Sequence, residues 1–467
     1  KKEDGIVAWQ IDNEFGHEGS DLCYCDNCKK AFRKYLAKEY DLVVGDTFEL
    51  FYRGIICLHN PYKYYILVRC PKGNPYPRYY TFTPKEDEIG DYELTISLID
   101  DDHQVVDFAT TTLHVVKPER PTKHQNVLCI GDSLTFTGEW PKEGYRRFTK
   151  TGGEPNGLGY DKSLTMIGTC QKTVEDDIVG YEGYGSWTWK SFCTTDVVST
   201  ISPVWVEVNN HNLDENDQHS VWKSEGLEWI LESIEEKRLK FKRGNLNYTP
   251  TPKIGDKFIH VSGGIHHEDI IVNKYEFEMG NPFWNKAIEN NDFKTYCSKY
   301  GYEGIDLVYV LLSWNGQYIP YNTNFDHHTI YAKKLMTQIH EAYPNAHITL
   351  LGIQICSVNG GIGANYGASG YYSDEFGTIT TAFNYNKCLE ELANSDEFKD
   401  YVRYVDTKAQ FDSEYNMPMI LKKVNTRSTI TEYIGTNAVH PTLNGYLQIG
   451  DVFYRALVRD IVDRNKK

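Results

Sequence analysis

The sequence predicts an α/β protein: a three-layer α/β domain preceded by a small all-β sandwich of immunoglobulin-like type. Residues 42–117 alternate apolar and polar side chains with a period of two, whereas from Asn126 onward the apolar runs become nearly continuous. Between those runs lie segments with helical spacing, and strands alternating with helices build layered α/β domains. At 467 residues the chain is too long for one ordinary domain, and its 40% apolar content supports a sizeable core.

Residues 1–41 carry the cluster Cys23, Cys25 and Cys28, and the polar amphipathic stretch Asn27–Tyr40 reads as a helix. The sandwich follows in residues 42–117, with alternation in Thr47–Tyr52, Tyr64–Cys70, Tyr92–Ile99 and Thr110–Val116. There Tyr92, Leu94, Ile96 and Leu98 share one face, and Glu93, Thr95 and Ser97 the other. This module has no concentration of chemically active side chains, so an accessory role is expected. Lys117–His124, with two prolines and a polar, basic character, suits an exposed linker.

The α/β domain spans residues 125–467. Its strands are expected at Asn126–Ile130, Ser163–Gly168, Asp306–Leu312, His347–Ile353 and Tyr401–Asp406, as in a parallel sheet buried on both faces. Helical periods are clearest in Tyr331–Tyr343 (Leu335, Ile339, Ala342) and Gly445–Val462 (Phe453, Leu457, Ile461). Residues 200–278 break the rhythm and read as an insertion. Its basic run Lys237–Arg243 reads as a solvated helix face.

A net charge of −16 excludes a nucleic-acid surface, which needs clustered Lys and Arg. No run approaches the length of a membrane span and no signal peptide opens the chain, so no membrane partner is expected; secretion and a cytoplasmic location both remain compatible. Eleven cysteines, an odd number mostly in apolar settings, do not look like a disulfide framework. Many of the 35 tyrosines and 9 tryptophans fall in loop-like contexts, among them Tyr181, Tyr184, Trp187, Trp189 and Trp284, where flat rings suit sugar faces.

Chemistry concentrates beyond the carboxyl ends of the predicted strands, where open α/β sheets bind ligands. Asn126–Thr135, NVLCIGDSLT, runs an apolar strand into a tight turn bearing Ser133. The loop GYEGYGSWTW covers residues 180–189, SWNG places Asn315 just past the third strand, and NAVHP places His440 ahead of the last helix. A serine there needs a base for its proton and donors for an oxyanion.

These four pieces, in this order, resemble the SGNH (GDSL) hydrolase superfamily over residues 125–467. The resemblance implies a flavodoxin-like fold and ester hydrolysis, often of acetyl groups on carbohydrate. Ser133 is then the nucleophile and His440 the base. The oxyanion donors are the Ser133 N–H, a backbone N–H from Gly185 or Ser186, and the Asn315 amide. No cofactor is implied, and the partner is an acetylated carbohydrate, for which Trp187, Trp189 and Trp314 are the expected contact rings.

Two positions depart from the family. Its second block commonly reads Gly before Trp-Thr, where this chain has Ser186, and a serine keeps the donor there without strain only at negative φ. Its Asp three residues before the His is here Asn437, which can orient the ring but carries no charge. Either a Ser–His dyad operates with Asn437 or a backbone carbonyl as orienter, or Asp406 or Asp412 substitutes; the dyad is favoured. A catalytically silent carbohydrate-binding protein and a lipid or aryl esterase are the alternatives.

Residues 6–34 resemble another family. Trp9-Gln10-Ile11-Asp12-Asn13-Glu14-Phe15-Gly16 followed by Cys23, Cys25 and Cys28 is similar to glycoside hydrolase family 42 β-galactosidases. The resemblance implies Glu14 as acid/base and zinc on the cysteines; short thiolate spacing suits that ion, with His17 one candidate fourth ligand, and three free thiols are the alternative favoured. A retaining glycosidase needs a second carboxylate and a (β/α)₈ barrel. Neither is visible before the β-rich module begins, so the fragment is expected to be a remnant, a truncation or an assembly join, without galactosidase activity.

Overall fold

The computed structural model describes residues 35–194, 204–224, 226–243, 255–261, 267–272, 274–277, 281–285, 287–312, 314–316, 319–368 and 373–466. The chain is mixed α/β and divides into two compact units. One comprises the described residues up to Lys117 with Lys408–Gln410, the other those of Pro118–Thr407 and from Phe411 onward.

The first unit is built of two sheets. A four-stranded sheet runs in the order Glu39–Val43, Val105–Val116, Gly90–Ile99, Tyr65–Arg69, parallel in its first pair and antiparallel in the others. Phe48–Phe51, Tyr79–Phe82 and Asn74–Pro75 form a three-stranded antiparallel sheet. The period of two is realised as burial: Leu94, Ile96 and Leu98 point inward, and Phe48, Leu50 and Tyr80 are buried from the other sheet. Glu39–Val43 straddles the boundary expected at residue 41 and ends the expected Asn27–Tyr40 helix early; residues 27–34 lie outside the described residues.

In the second unit the central strands are β1 (Gln125–Gly131), β2 (Leu164–Ile167), β3 (Cys170–Val174), β4 (Asp177–Gly183), β5 (Leu307–Leu311), β6 (His347–Leu351) and β7 (Val402–Val405). They are ordered β3-β4-β1-β5-β6-β7. Strand β2 pairs with the first half of β1 and β4 with its end, so the two share one edge of β1. All contacts are parallel except the β3–β4 hairpin. Val127, Leu128, Cys129 and Ile130 are all buried, which is why this strand reads as a continuous apolar run.

The helices are α1 (Ser133–Phe136), α2 (Glu139–Thr149), α3 (Phe293–Tyr300), α4 (Asp326–Ala342), α5 (Gly361–Tyr366), α6 (Glu375–Ala393) and α7 (Leu443–Asn465). Helix α7 is fixed to the sheet through Phe453, whose ring meets Trp140 at 5.2 Å and Tyr309 at 4.6 Å. Strand order reverses between β1 and β5: the chain leaves β1 toward β2 and β4 on one side and resumes with β5 on the other. At such a switch point the loops after the two strands diverge and leave a crevice. Ser133 and Asn315 follow those strands.

Residues 204–277 form a seven-stranded antiparallel sheet around Trp222, Trp229, Leu231, Leu239, Phe241 and Phe258. The basic run is therefore not a helix face. Arg238–Arg243 is a strand of this sheet, burying Leu239 and Phe241 while the intervening Lys240 and Lys242 are only partly covered. The alternation of RLKFKR is a two-residue period that the density of charge obscured. Beyond this sheet, Asn281 and Asn291 both donate side-chain hydrogen bonds to the Phe192 carbonyl, at 3.0 and 2.8 Å. Among the described residues no helix is long and apolar enough to cross a membrane.

Candidate active site

Strand β1 ends at Gly131, and the chain turns at once into α1 with Ser133 as its first residue. Space dictates the glycine: a Cβ on Gly131 would lie 1.9 Å from Thr135 Oγ1 and 2.3 Å from the Leu311 carbonyl oxygen. Asp132 caps the helix, its carboxylate accepting from Leu134 N–H at 3.0 Å and its carbonyl from Thr135 N–H at 3.0 Å. The Ser133 N–H, an orphan of the first turn, has no partner among the described residues.

His440, 307 positions away in sequence, meets that serine. Its Nε2 lies 2.8 Å from Ser133 Oγ, the separation a general base needs. The imidazole is surface-accessible, yet neighbouring protein displaces enough water to lower its pKa below the usual 6.5, favouring the neutral form that accepts a proton. Neutral amides hold the backbone of the His440 loop. Ala438 N–H donates to Asn365 Oδ1 (2.6 Å), Ser357 N–H to the Ala438 carbonyl (2.9 Å) and Gln354 Nε2 to the Val439 carbonyl (2.9 Å).

Asn437 is occupied differently from the expectation. Its Oδ1 accepts from the backbone N–H groups of Val439 (3.0 Å) and His440 (2.9 Å), so it shapes the loop and makes no bond to the ring. Asp406 accepts from the Tyr404 hydroxyl, and Asp412 from the N–H groups of Glu414 and Tyr415; neither bonds His440. Among the described residues His440 Nδ1 has no partner.

The side expected to hold an oxyanion is more tightly built. Strand β4 approaches the nucleophile turn so closely that a Cβ on Gly183 would be 2.6 Å from Phe136 N, and Tyr184 N–H donates to the Gly131 carbonyl at 3.1 Å. Ser186 takes φ +66°, in the left-handed region, not the negative φ that would leave a serine unstrained. Among the described residues neither Gly185 N–H nor Ser186 N–H has a protein partner. Asn315 donates one amide hydrogen to the Trp187 carbonyl at 2.9 Å, which orients the group; among the described residues the second has no partner.

The tryptophans do not serve as sugar platforms. Trp187 is 0% exposed and Trp314 and Trp189 are 1% exposed. The Trp187 ring packs on Tyr184 at 4.1 Å and Phe192 at 4.7 Å, so these rings are core under the loop, the more frequent fate of large aromatics. Glu14, His17, Cys23, Cys25 and Cys28 lie outside the described residues. Sequence reasoning passed over Glu182, a carboxylate fully buried beneath the oxyanion loop. The available signal was a charged residue among glycines and aromatics in GYEGYG, at the end of an inward strand.

Over residues 1–47 the chain matches the β-galactosidase family of glycoside hydrolases 42. The β-galactosidase LacZ of Lactobacillus acidophilus is 50% identical over 40 residues, 9% of this chain and 5% of that protein, so the chain spans only a small part of the curated relatives' length. Among solved structures, a carbohydrate esterase family 3 from Talaromyces cellulolyticus aligns over 73% of this chain and 99% of its own, at 11% identity and a TM-score of 0.33. The family 3 carbohydrate esterase of Clostridium thermocellum aligns over 72% and 98%, at 12% identity and a TM-score of 0.31. The chain is similar to β-galactosidases over its first 47 residues, and the solved structures it resembles include carbohydrate esterases.

Proposed function

We propose that this chain is a serine esterase that removes ester groups, foremost O-acetyl groups, from carbohydrate. The 2.8 Å approach of His440 Nε2 to Ser133 Oγ at the switch point of the sheet carries the proposal. It is supported by the N–H groups of Ser133, Gly185 and Ser186, which have no protein partner among the described residues.

In acylation, Ser133 Oγ attacks the ester carbonyl carbon while its proton passes to His440 Nε2, and the carbonyl π pair moves onto oxygen. The Ser133 N–H, an N–H of Gly185 or Ser186, and the second Asn315 amide hydrogen face the charge that develops there. Collapse breaks the bond to the sugar oxygen, which takes the proton from Nε2 and leaves as a hydroxyl. Water repeats the sequence on the acyl-serine, with His440 again the base, and acetate departs. No step calls on a cofactor. With Nδ1 unaccompanied, Ser133 and His440 act as a dyad.

The domain reading follows: an immunoglobulin-like accessory sandwich over residues 42–117, and a three-layer flavodoxin-like hydrolase domain over 125–467 interrupted around 200–278. The carbohydrate assignment draws on the sequence resemblance and on the β-galactosidase-like segment at residues 1–47. Cys23, Cys25 and Cys28 lie outside the described residues, and the proposed ester cleavage does not call on them.

The test is acetate release from acetylated xylan and from p-nitrophenyl acetate by the native chain and by Ser133→Ala. Turnover by the native chain alone is expected; equal rates would end the esterase assignment.

A further inference from the structure

We propose that Glu182 is a positioning residue: its buried carboxylate holds the oxyanion loop in working shape through Tyr184 and Trp187. The proposal rests on the esterase reading above for its catalytic consequence, though not for its structural one.

Glu182 is the penultimate residue of β4, 0% exposed, and its two oxygens are saturated by donors from three parts of the fold. One accepts from Thr169 N–H at 2.8 Å and from the Tyr296 hydroxyl at 2.6 Å. The other accepts from Thr169 Oγ1 at 2.8 Å and from the Tyr184 hydroxyl in a short bond. Burial drives the carboxyl pKa upward while all four donors oppose it. No cation is among these partners. A buried carboxylate is costly to keep, and removing donors from it costs more than most surface changes.

What the group holds is the route to the oxyanion. Tyr184 joins three things: its hydroxyl binds Glu182, its N–H binds the Gly131 carbonyl two residues before Ser133, and its ring lies 4.1 Å from that of Trp187. The Trp187 N–H returns to the Tyr184 carbonyl at 3.2 Å, and the Trp187 carbonyl holds the Asn315 amide at 2.9 Å. Between Tyr184 and Trp187 sit Gly185 and Ser186, whose free N–H groups are the candidate donors. Ser186 is held at φ +66°, a conformation that persists only where surrounding structure over-determines it. The carboxylate supplies that determination at one end of the loop and Asn315 at the other.

Glu182→Gln keeps the shape but offers an NH₂ where an acceptor is required. We expect kcat to fall about 10- to 100-fold with KM within about twofold, because misplaced donors act on the transition state and hardly on ground-state binding. Tyr184→Phe should produce the same split, and the double variant should lose little beyond the worse single one. Thr169→Val and Tyr296→Phe, each removing one donor, give the graded form of the test if Glu182→Gln folds poorly. Hydrogen exchange gives a readout independent of turnover: amides of residues 183–190 should exchange faster in Glu182→Gln while β1 and β5 keep their protection. A lower Tm with unchanged kcat, or unchanged exchange over 183–190, would show Glu182 to be a structural brace only and overturn the proposal. Should the native chain and Ser133→Ala be equally inactive on esters, the esterase reading fails, and the exchange data still decide whether Glu182 holds the loop.

Discussion

The two sides of the candidate site are held by different means. The proposed oxyanion side is fastened by side chains: the buried Glu182, Tyr184 and Trp187 and the half-buried Asn315 form a chain of contacts around the loop that carries Ser186 at φ +66°. The base side is fastened through its backbone by the neutral amides of Asn365, Gln354 and Asn437, and the imidazole stands at the surface with Nδ1 unaccompanied. The difference matches what each must do. Donors to a developing charge lose their worth when they reorganise, whereas a base that receives and returns a proton needs only to reach the oxygen.

The largest expected effect removes the reacting pair itself. Ser133→Ala and His440→Ala should each lower kcat by about 10⁴ or more, with the residual rate owed to the oxyanion donors; steady-state kinetics on p-nitrophenyl acetate measure both. Asn315→Ala should cost about 10²–10³ in kcat with little change in KM, the signature of a donor working in the transition state. On the base side Asn437→Ala should be mild, at most about tenfold in kcat and about 1 kcal/mol in stability, because the lost bonds are backbone contacts of the loop. A loss as large as that of Asn315→Ala would erase the contrast between the two sides.

Protonation sharpens it. In the proposed mechanism the working imidazole is neutral, and burial lowers its pKa from 6.5, so the acid limb of the activity profile should have its midpoint below pH 6.5 and track His440. Asn437→Asp should keep most of the activity, since a carboxylate accepts the same two N–H groups, and should move that limb upward by stabilising the imidazolium. The smallest effect belongs to Ser186→Gly. Relief of a left-handed serine, about 1–2 kcal/mol, is largely offset by the greater freedom of glycine in the unfolded chain, so stability should rise by no more than about 1 kcal/mol and kcat should hold.

Ser133 and His440 were legible because each sits at an element junction with its own signal, an apolar strand entering GDSL and a His-Pro step ahead of a helix. The parallel strands were legible because burial on both faces leaves an unbroken apolar run. Other features depend on packing choices that the local pattern does not spell out. Whether Trp187 and Trp314 face sugar or core is decided by Tyr184 and Phe192 closing over the former, which loop composition does not encode. Asn437 looked like a ring partner, but an asparagine two residues before a backbone N–H often satisfies that N–H first. Helix α6 went unread as well: it buries residues around much of its circumference, Thr381, Phe383, Tyr385 and Leu389 among them, so no single stripe announces it. Charge masked the strand Arg238–Arg243, where only every second side chain turns inward.

The paired asparagines at Phe192 give the inserted sheet a further meaning. Because Asn281 and Asn291 grip the carbonyl of Phe192, the excursion departs and returns at nearly the same spot, and it carries its own apolar interior. A segment tied at one spot with an interior of its own is expected to tolerate a change of length while the register of the parallel strands on either side stays intact.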